Sequence, residues 1–431
     1  SGWYDLEVLD NSTGNWIMLA NAFEVTLLYI DGCTDSTAID YDPNANIDDG
    51  SCTYQMTYVP DDNFEQALIN LGYDTVLDDS VLTSNINVVT SLNINSNNIS
   101  DLTGIEEFIL LEDLYCASNQ LTSLDISSNQ NLKKVYCDNN QLTIIDLNLL
   151  TEFVDFSCSG NLLTTLDLLL NQHLKAVNCP NNQIQNIYFN DSLEILYCYG
   201  NNLSMLDFSN HNRINDLMCG DNNLISLIVD SCTNLEILRC SNSQLSTLDV
   251  STAIRLKNIY CSTNLLTNLY LNDSLELLYC HENQFINLSL SGGGNLKYLS
   301  CSDNQLTTLD ISNNSNLQFI RCSNNNLISL DLRNGNNANM VLFTTPNTSL
   351  NCISVDDTIL ANTNWTVANG NIDAQHYFSL NCNPTSISEY QSENTLLKIV
   401  DVLGKESKPT SNTPLFYIYS DGTVEKKVFV E

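Results

Sequence analysis

Between residues 116 and 322 cysteine returns at nearly constant intervals. It stands at Cys116, Cys137, Cys158, Cys179, Cys198, Cys219, Cys240, Cys261, Cys280, Cys301 and Cys322, every step 21 residues except two of 19. A spacing held this strictly settles the architecture before local propensity is consulted, because each period must be one structural unit stacked on the last. Around each Cys the frame is LxxLxCxxNxLxxL, with Asn three positions later from Asn119 to Asn325. The coil of Cys240 departs from it, with Ser243 in that place and Asn242 one position early. Alternation at x-Leu-x-Cys-x makes a short strand whose Leu and Cys point inward, and an Asn amide can bond the backbone where the strand turns away. One coil cannot bury its apolar side alone, whereas stacked coils can, so the chain is expected to form a solenoid with a parallel sheet along one face. With Ile94 and Phe343 filling the Cys position in the first and last coils, the sheet has thirteen turns and runs roughly 60 Å at about 4.8 Å per strand. The second half of each coil, as in LTSLDIS from Leu121 and LTTLDIS from Leu306, also alternates. It predicts an extended convex wall rather than helices.

The motif resembles the leucine-rich repeat, and Cys in place of an inner Leu resembles the cysteine-ladder variety found among bacterial internalin-like surface proteins. The resemblance implies a β-rich solenoid, a right-handed leucine-rich repeat coil with its parallel sheet on the concave face, flanked by small β segments. It covers residues 92–345.

The 431 residues carry a net charge of −36, which comes from a scarcity of basic residues, 15 Lys plus Arg, rather than from an acidic run. Such a surface repels nucleic acid and anionic lipid, so neither is expected as a partner. No apolar run approaches the length of a membrane span, and a chain that opens on Ser without a signal-like block reads as a processed or truncated piece. Eleven of the 16 cysteines lie in the ladder. Neighbouring strands hold their Cβ atoms about 4.8 Å apart, wider than the roughly 3.8 Å that a bridge prefers, so these read as buried thiols. The positions of the others suggest Cys33–Cys52 and Cys352–Cys382 disulfides, with Cys232 unpaired in a loop between coils.

Residues 1–31 read as two or three strands around an Asn-Ser-Thr-Gly turn, the end of a β-domain. Residues 32–54, GCTDSTAIDYDPNANIDDGSC onward, resemble a short cysteine-flanked module of secreted marine Bacteroidetes proteins. Asp35, Asp40, Asp42, Asn44, Asn46, Asp48 and Asp49 crowd oxygen atoms into one loop, the chemistry that a hard cation such as Ca²⁺ takes, although the EF-hand order and its closing Glu are absent. Without a metal the same loop is a disulfide-closed acidic turn. Residues 55–91 resemble the amino-terminal cap of bacterial leucine-rich repeat proteins, with Asp61 or Asp62 capping a helix that shows Phe64, Ala67, Leu68 and Leu71 on one face before Gly72 ends it. Residues 346–383 resemble a closing cap, with Trp365 and Phe378 over the last coil, and 384–393 is a polar linker. Residues 394–431 resemble the carboxyl-terminal sorting signal of type IX secretion, notably in LLKIVDVLGKES and PLFYIYSDGTVEKK, which implies that machinery as a partner.

Immediately before each Cys lies a column that faces outward: Asn93, Tyr115, Tyr136, Ser157, Asn178, Tyr197, Met218, Arg239, Tyr260, Tyr279, Ser300, Arg321 and Leu342. Five tyrosines and two arginines on a small, polar background suit a face that binds a protein or glycan, since both residue types bury area and keep a polar tip. Tyr199 adds to the patch. The competing reading is duplication: Tyr115, Tyr197 and Tyr279 lie 82 residues apart, and so do the phrases YFNDSLEILYC and YLNDSLELLYC. Catalytic signals are poor. His281-Glu282 opens a zinc-protease phrase, but Phe285 stands where its second His would be, and His173, His211 and His376 read as isolated surface residues. The expectation is a non-enzymatic, secreted or cell-surface binding protein. The alternative is a structural spacer.

Overall fold

The computed structural model describes the chain apart from residues 1, 26–27, 292, 383–395, 404, 410–412, 420–423 and 429–431, and at residues 2–3 and 22–25 it describes the backbone alone. The expected linker therefore lies outside the described residues. Thirteen parallel strands of three residues form one sheet, from Ser91–Asn93 to Val341–Phe343, each paired with the strand of the next coil. The central residue of each strand and the Cys after it are buried, as Leu114 and Cys116 are in one coil and Val135 and Cys137 in the next. All eleven ladder cysteines are free thiols.

The repeated Asn explains why the coils stay in register. Asn140 Nδ2 donates to Cys116 O at 3.0 Å in the preceding coil and to Cys137 O at 3.1 Å in its own, while its Oδ1 accepts from Leu121 N at 3.0 Å. The same set recurs at Asn161, Asn182 and onward to Asn325. One buried amide thus satisfies three main-chain groups at the point where the sheet ends and water is excluded. Just before this Asn the chain turns through the left-handed region, at Asn139, Asn181, Asp221 and their equivalents. Gly160 takes that position with φ +65°, and there a Cβ would stand 2.6 Å from Asn139 Oδ1.

The convex wall is extended, as expected, and pairs in short runs such as Thr165–Asp167 with Asn186–Tyr188. It carries a second amide ladder that sequence reading missed. Asn129 donates to Ile105 O and Phe108 O, and Asn171 repeats this to Leu147 O and Leu150 O. His211, Cys232 and Ala253 continue the same column at 21-residue steps. Cys232 is thus unpaired, as expected, but buried in the wall. His211 is half-buried rather than a surface residue: its ring centre lies 4.8 Å from that of Phe189 and 5.7 Å from that of Phe208, and its Nε2 lies 3.7 Å from Asp191 Oδ1. His376 is also buried, with its Nε2 3.3 Å from Asn347 O, because the closing cap folds over it.

The last coil corrects the expected register. Arg321 pairs with Phe343 and Ile320 with Leu342, so Leu342 is the core residue of its strand and the buried Thr344 takes the Cys position. A step one residue longer than the repeat moves Phe343 to the outer face. Beyond it Trp365 and Phe378 lie buried with ring centres 5.8 Å apart, and Trp365 Nε1 donates to Met340 O at 3.1 Å.

At the other end the helix Asp62–Asn70 buries Phe64, Ala67 and Leu68 against the first coil, while Leu71 lies past the helix end and is exposed. Asp61 caps it, accepting from Asn63 N and Phe64 N through Oδ1 at 3.0 Å. Its Oδ2 accepts from Ser100 N, Ser100 Oγ and Asp101 N, which ties the cap to the first coil. Before the cap come an antiparallel hairpin, Gly2–Asp10 with Asn15–Val25, and the small module closed by Cys33–Cys52. The second disulfide is Cys352–Cys382. Leu396–Val400, Pro414–Tyr419 and Val424–Val428 form a separate three-stranded antiparallel sheet.

Candidate binding face

Strand alternation places Tyr115, Tyr136, Tyr197, Arg239, Tyr260, Tyr279 and Arg321 on the outward side of the sheet, one per coil, with strands about 4.8 Å apart. The tyrosines of this column are half-buried, Arg321 is exposed, and Tyr199 stands beside Tyr197 as an exposed side chain. The structure divides the column into three groups. Tyr115 and Tyr136 meet edge to face, with ring centres 5.3 Å apart. Ser157 and Asn178 then leave a gap. A second group runs without interruption from Tyr197 through Met218 and Arg239 to Tyr260 and Tyr279. In it the Arg239 guanidinium lies 5.1 Å from the centre of the Tyr260 ring, and Tyr260 and Tyr279 pack edge to face at 5.4 Å. In the third, Arg321 lies 5.4 Å from the Phe343 ring centre, and Phe343 lies 5.9 Å from Phe319.

The residues two places ahead of each Cys-preceding position share the face, and sequence reading overlooked them. The signal was available, since period two puts i and i−2 on one side. Asp155 accepts from Tyr136 OH at 2.6 Å, and Asp216 accepts from Tyr197 OH at 2.9 Å and from Arg239 Nη1 at 3.4 Å. Burial first, and then the bond to Asp155, push the Tyr136 hydroxyl well above its usual range; burial and then the bond to Asp216 raise that of Tyr197. Both stay protonated donors. Along one margin of the sheet Lys133–Glu112, Lys175–Glu194, Lys257–Glu236 and Lys297–Glu276 bridge successive coils at 2.7–3.4 Å.

Towards the closing cap the face deepens into a hollow of about 780 Å³, which Tyr279 and Arg321 line together with His281, Glu282, Asp303 and Phe319. His281 Nδ1 lies 3.4 Å from Glu282 Oε1 on the turn after a strand, not on a helix.

In the acidic module Asp35, Asp42, Asp48 and Asp49 each close a local turn, whereas Asp40 ties the loop to the distant Thr53. Asp35 accepts from Thr37 N at 2.9 Å and Tyr54 OH at 2.9 Å, Asp40 from Thr53 N, Asp42 from Asn44 N, Asp48 from Gly50 N and Asp49 from Ser51 N. Asn44 Nδ2 donates to Asp42, and Asn46 Nδ2 to Leu28 O. The bond from the Thr37 amide holds Asp35 below the usual carboxylate range. Among the described residues, the acidic side chains whose oxygens all lie within 4.8 Å of one another are Glu65, Asp74 and Asp78, outside the module.

No family model matches the chain. Its fold aligns with the functional domain of InlJ from Listeria monocytogenes, which includes a cysteine ladder, over 70% of this chain and 68% of that one, at 30% identity and a TM-score of 0.54. The chain belongs to the internalin J-like, cysteine-ladder leucine-rich repeat proteins. Internalin J of Listeria monocytogenes serotype 4b (strain F2365) is 33% identical over 72 residues, 17% of this chain, and the match spans only 8% of that relative's length. The leucine-rich repeat solenoid recurs at lower identity in an internalin, InlF, of Listeria monocytogenes strain 4b F2365 (18%, TM-score 0.52, 76% of this chain and 96% of that one). It recurs again in the Toll–Spatzle complex of Drosophila (16%, TM-score 0.53, 62% and 42%). These two likenesses concern fold alone. Within the cysteine-ladder group this chain keeps Cys as the inner residue of eleven coils, and its outer column carries the side chains that differ from coil to coil.

Proposed function

We propose that this leucine-rich repeat chain is a secreted or cell-surface binding protein that engages a protein or glycan through the concave face of its solenoid. The observation that carries this reading is the unbroken run Tyr197–Met218–Arg239–Tyr260–Tyr279 in register on the outward side of the sheet, with the Arg239 guanidinium over Tyr260 and Tyr260 against Tyr279. Tyr and Arg dominate the residues whose truncation weakens protein interfaces, and a sheet edge to edge with ion pairs presents them on a rigid base. The fold is also that of a protein described in complex with a partner, Toll with Spatzle. Segment 394–431 supports type IX secretion by its resemblance, and among the described residues no helix is long and apolar enough to cross a membrane.

A specific observation favours a spacer instead. Tyr136 and Tyr197 bond carboxylates of their own sheet, as tyrosines kept only for stability would. Replacing Tyr115, Tyr197 and Tyr279 with Ser separates the two readings. On a cell-surface and glycan array, the binding protein loses its signal in the triple variant. A spacer shows no signal with either chain.

A further inference from the structure

Beside the closing cap the outer face is hollowed. Strands Leu277–Tyr279, Tyr298–Ser300 and Phe319–Arg321 floor the hollow, and Thr345 and Pro346 wall its far end. Its volume, about 780 Å³, is that of a small-ligand pocket, whereas a protein interface spreads over a broad patch.

The lining falls into three kinds of group. Tyr279 and Phe319 supply aromatic surface. Glu282 and Asp303 supply carboxylate oxygens, which only accept, and both follow from backbone held in the left-handed region, at φ 54° in each case. Arg321 supplies N–H groups, which only donate; it forms no ion pair among the described residues, unlike Arg239 with Asp216. Between them sits Ser302, 5% exposed, whose enclosed Oγ has no hydrogen-bond partner.

We propose that this hollow binds a neutral saccharide. Sugar hydroxyls both donate and accept, which is the complement of a wall built from acceptor-only carboxylates and a donor-only guanidinium. The C–H face of a pyranose ring carries positive character that suits the negative face of an aromatic ring. Two carboxylates against one guanidinium disfavour uronate or sulfated sugars, which would add charge of the sign already in excess. The inference rests on the concave-face reading and names the ligand class for its deepest part.

The test uses the full chain on arrays of neutral glycans, acidic glycans, peptides and cell surfaces, then calorimetry with the best neutral oligosaccharide. The variants are Arg321→Ala and Phe319→Ala in the hollow and Tyr115→Ser at the far end of the face, with Tyr188→Ser on the exposed convex wall as the control. Circular dichroism checks that each folds. The expected result is a neutral glycan whose affinity falls about tenfold or more, ~1.4 kcal/mol, in both hollow variants and not in the control. Binding confined to acidic glycans overturns the proposal. So does neutral-glycan binding lost in Tyr115→Ser but kept in Arg321→Ala, although the concave-face reading then stands. Binding of peptides alone, lost in Arg321→Ala, keeps the site and overturns its saccharide class. A chain that binds neither glycan nor cell surface overturns both proposals together.

Discussion

Asn140 reaches back one coil to donate its side-chain amide to the carbonyl of Cys116 at 3.0 Å, in a place where neither group meets water. With its two other bonds it replaces three water contacts that the last residues of the strand have lost. Asn140→Ala strands Leu121 N in the core and leaves Cys116 O and Cys137 O with the amides of Asn119 and Asn161 alone, and is expected to cost about 1–3 kcal/mol. The decrease is read as a lower urea midpoint. An Asn140→Asp variant should do no better, because it keeps the acceptor for Leu121 N but loses both donors.

Ser243 is the missing rung. Its Oγ makes a single 3.4 Å contact with Asn222 O, and Leu224 N has no side-chain acceptor of the kind that Leu203 N finds in Asn222. Ser243→Asn is therefore expected to stabilise the chain by about 1 kcal/mol, and hydrogen exchange should slow at the coils on either side of it. Faster exchange there would mean that the neighbouring left-handed Asn242 leaves no room for the amide.

The ladder thiols predict an alkaline limit. Burial pushes Cys116, Cys179, Cys240 and Cys322 from 9.0 to about 12. A thiol whose folded value is raised contributes stability that is fully present below pH 9 and is lost as pH climbs towards 12, because the unfolded chain releases protons that the folded chain keeps. Unfolding followed by circular dichroism should thus become steeply easier across that window. At pH 8 a thiol reagent should find almost none of the twelve free cysteines in the native chain and all of them after unfolding in denaturant.

Asp61 predicts an acid limit at the amino-terminal cap. Burial raises its carboxyl, but the bonds from Ser100, Phe64 and Asp101 outweigh that and hold it below the ordinary 3.8. Its contribution is present above that ordinary value and lost as pH falls through the lower folded one. Asp61→Ala removes the helix cap and the tie to the first coil together, for a loss of about 2–4 kcal/mol. Proteolysis near Tyr58 at neutral pH, slow in the parent chain and fast in the variant, measures it.

The expected Trp365 and Phe378 cover, the two disulfides and the free ladder thiols all stand in the structure, because each depends on a local pattern repeated or closed within a short span. The candidate binding face was legible only in one column. Reading the residue before each Cys found Tyr197 and Arg239, but Asp216, which bonds both, belongs to a neighbouring strand and to the other outward position. Sequence distance obscures such a contact, since Tyr197 and Asp216 are 19 residues apart and meet only because two coils are in register.

The sequence by itself determined the solenoid, its thirteen strands and, within the regular coils, the side each strand residue faces. A period of 21 with apolar residues at fixed offsets has one way to bury them, and alternation does the rest. Only the tertiary structure decided what happens where the period fails. The longer step after Cys322 put Leu342 in the core and Phe343 beside Arg321, and so shaped the hollow, because register there follows strand pairing and the cap rather than spacing. It also decided that His211 is half-buried: polarity argues for the surface, but a place in the convex column against Phe189 and Phe208 is set by the neighbouring coils. Stacking fixes neighbours that no single coil specifies.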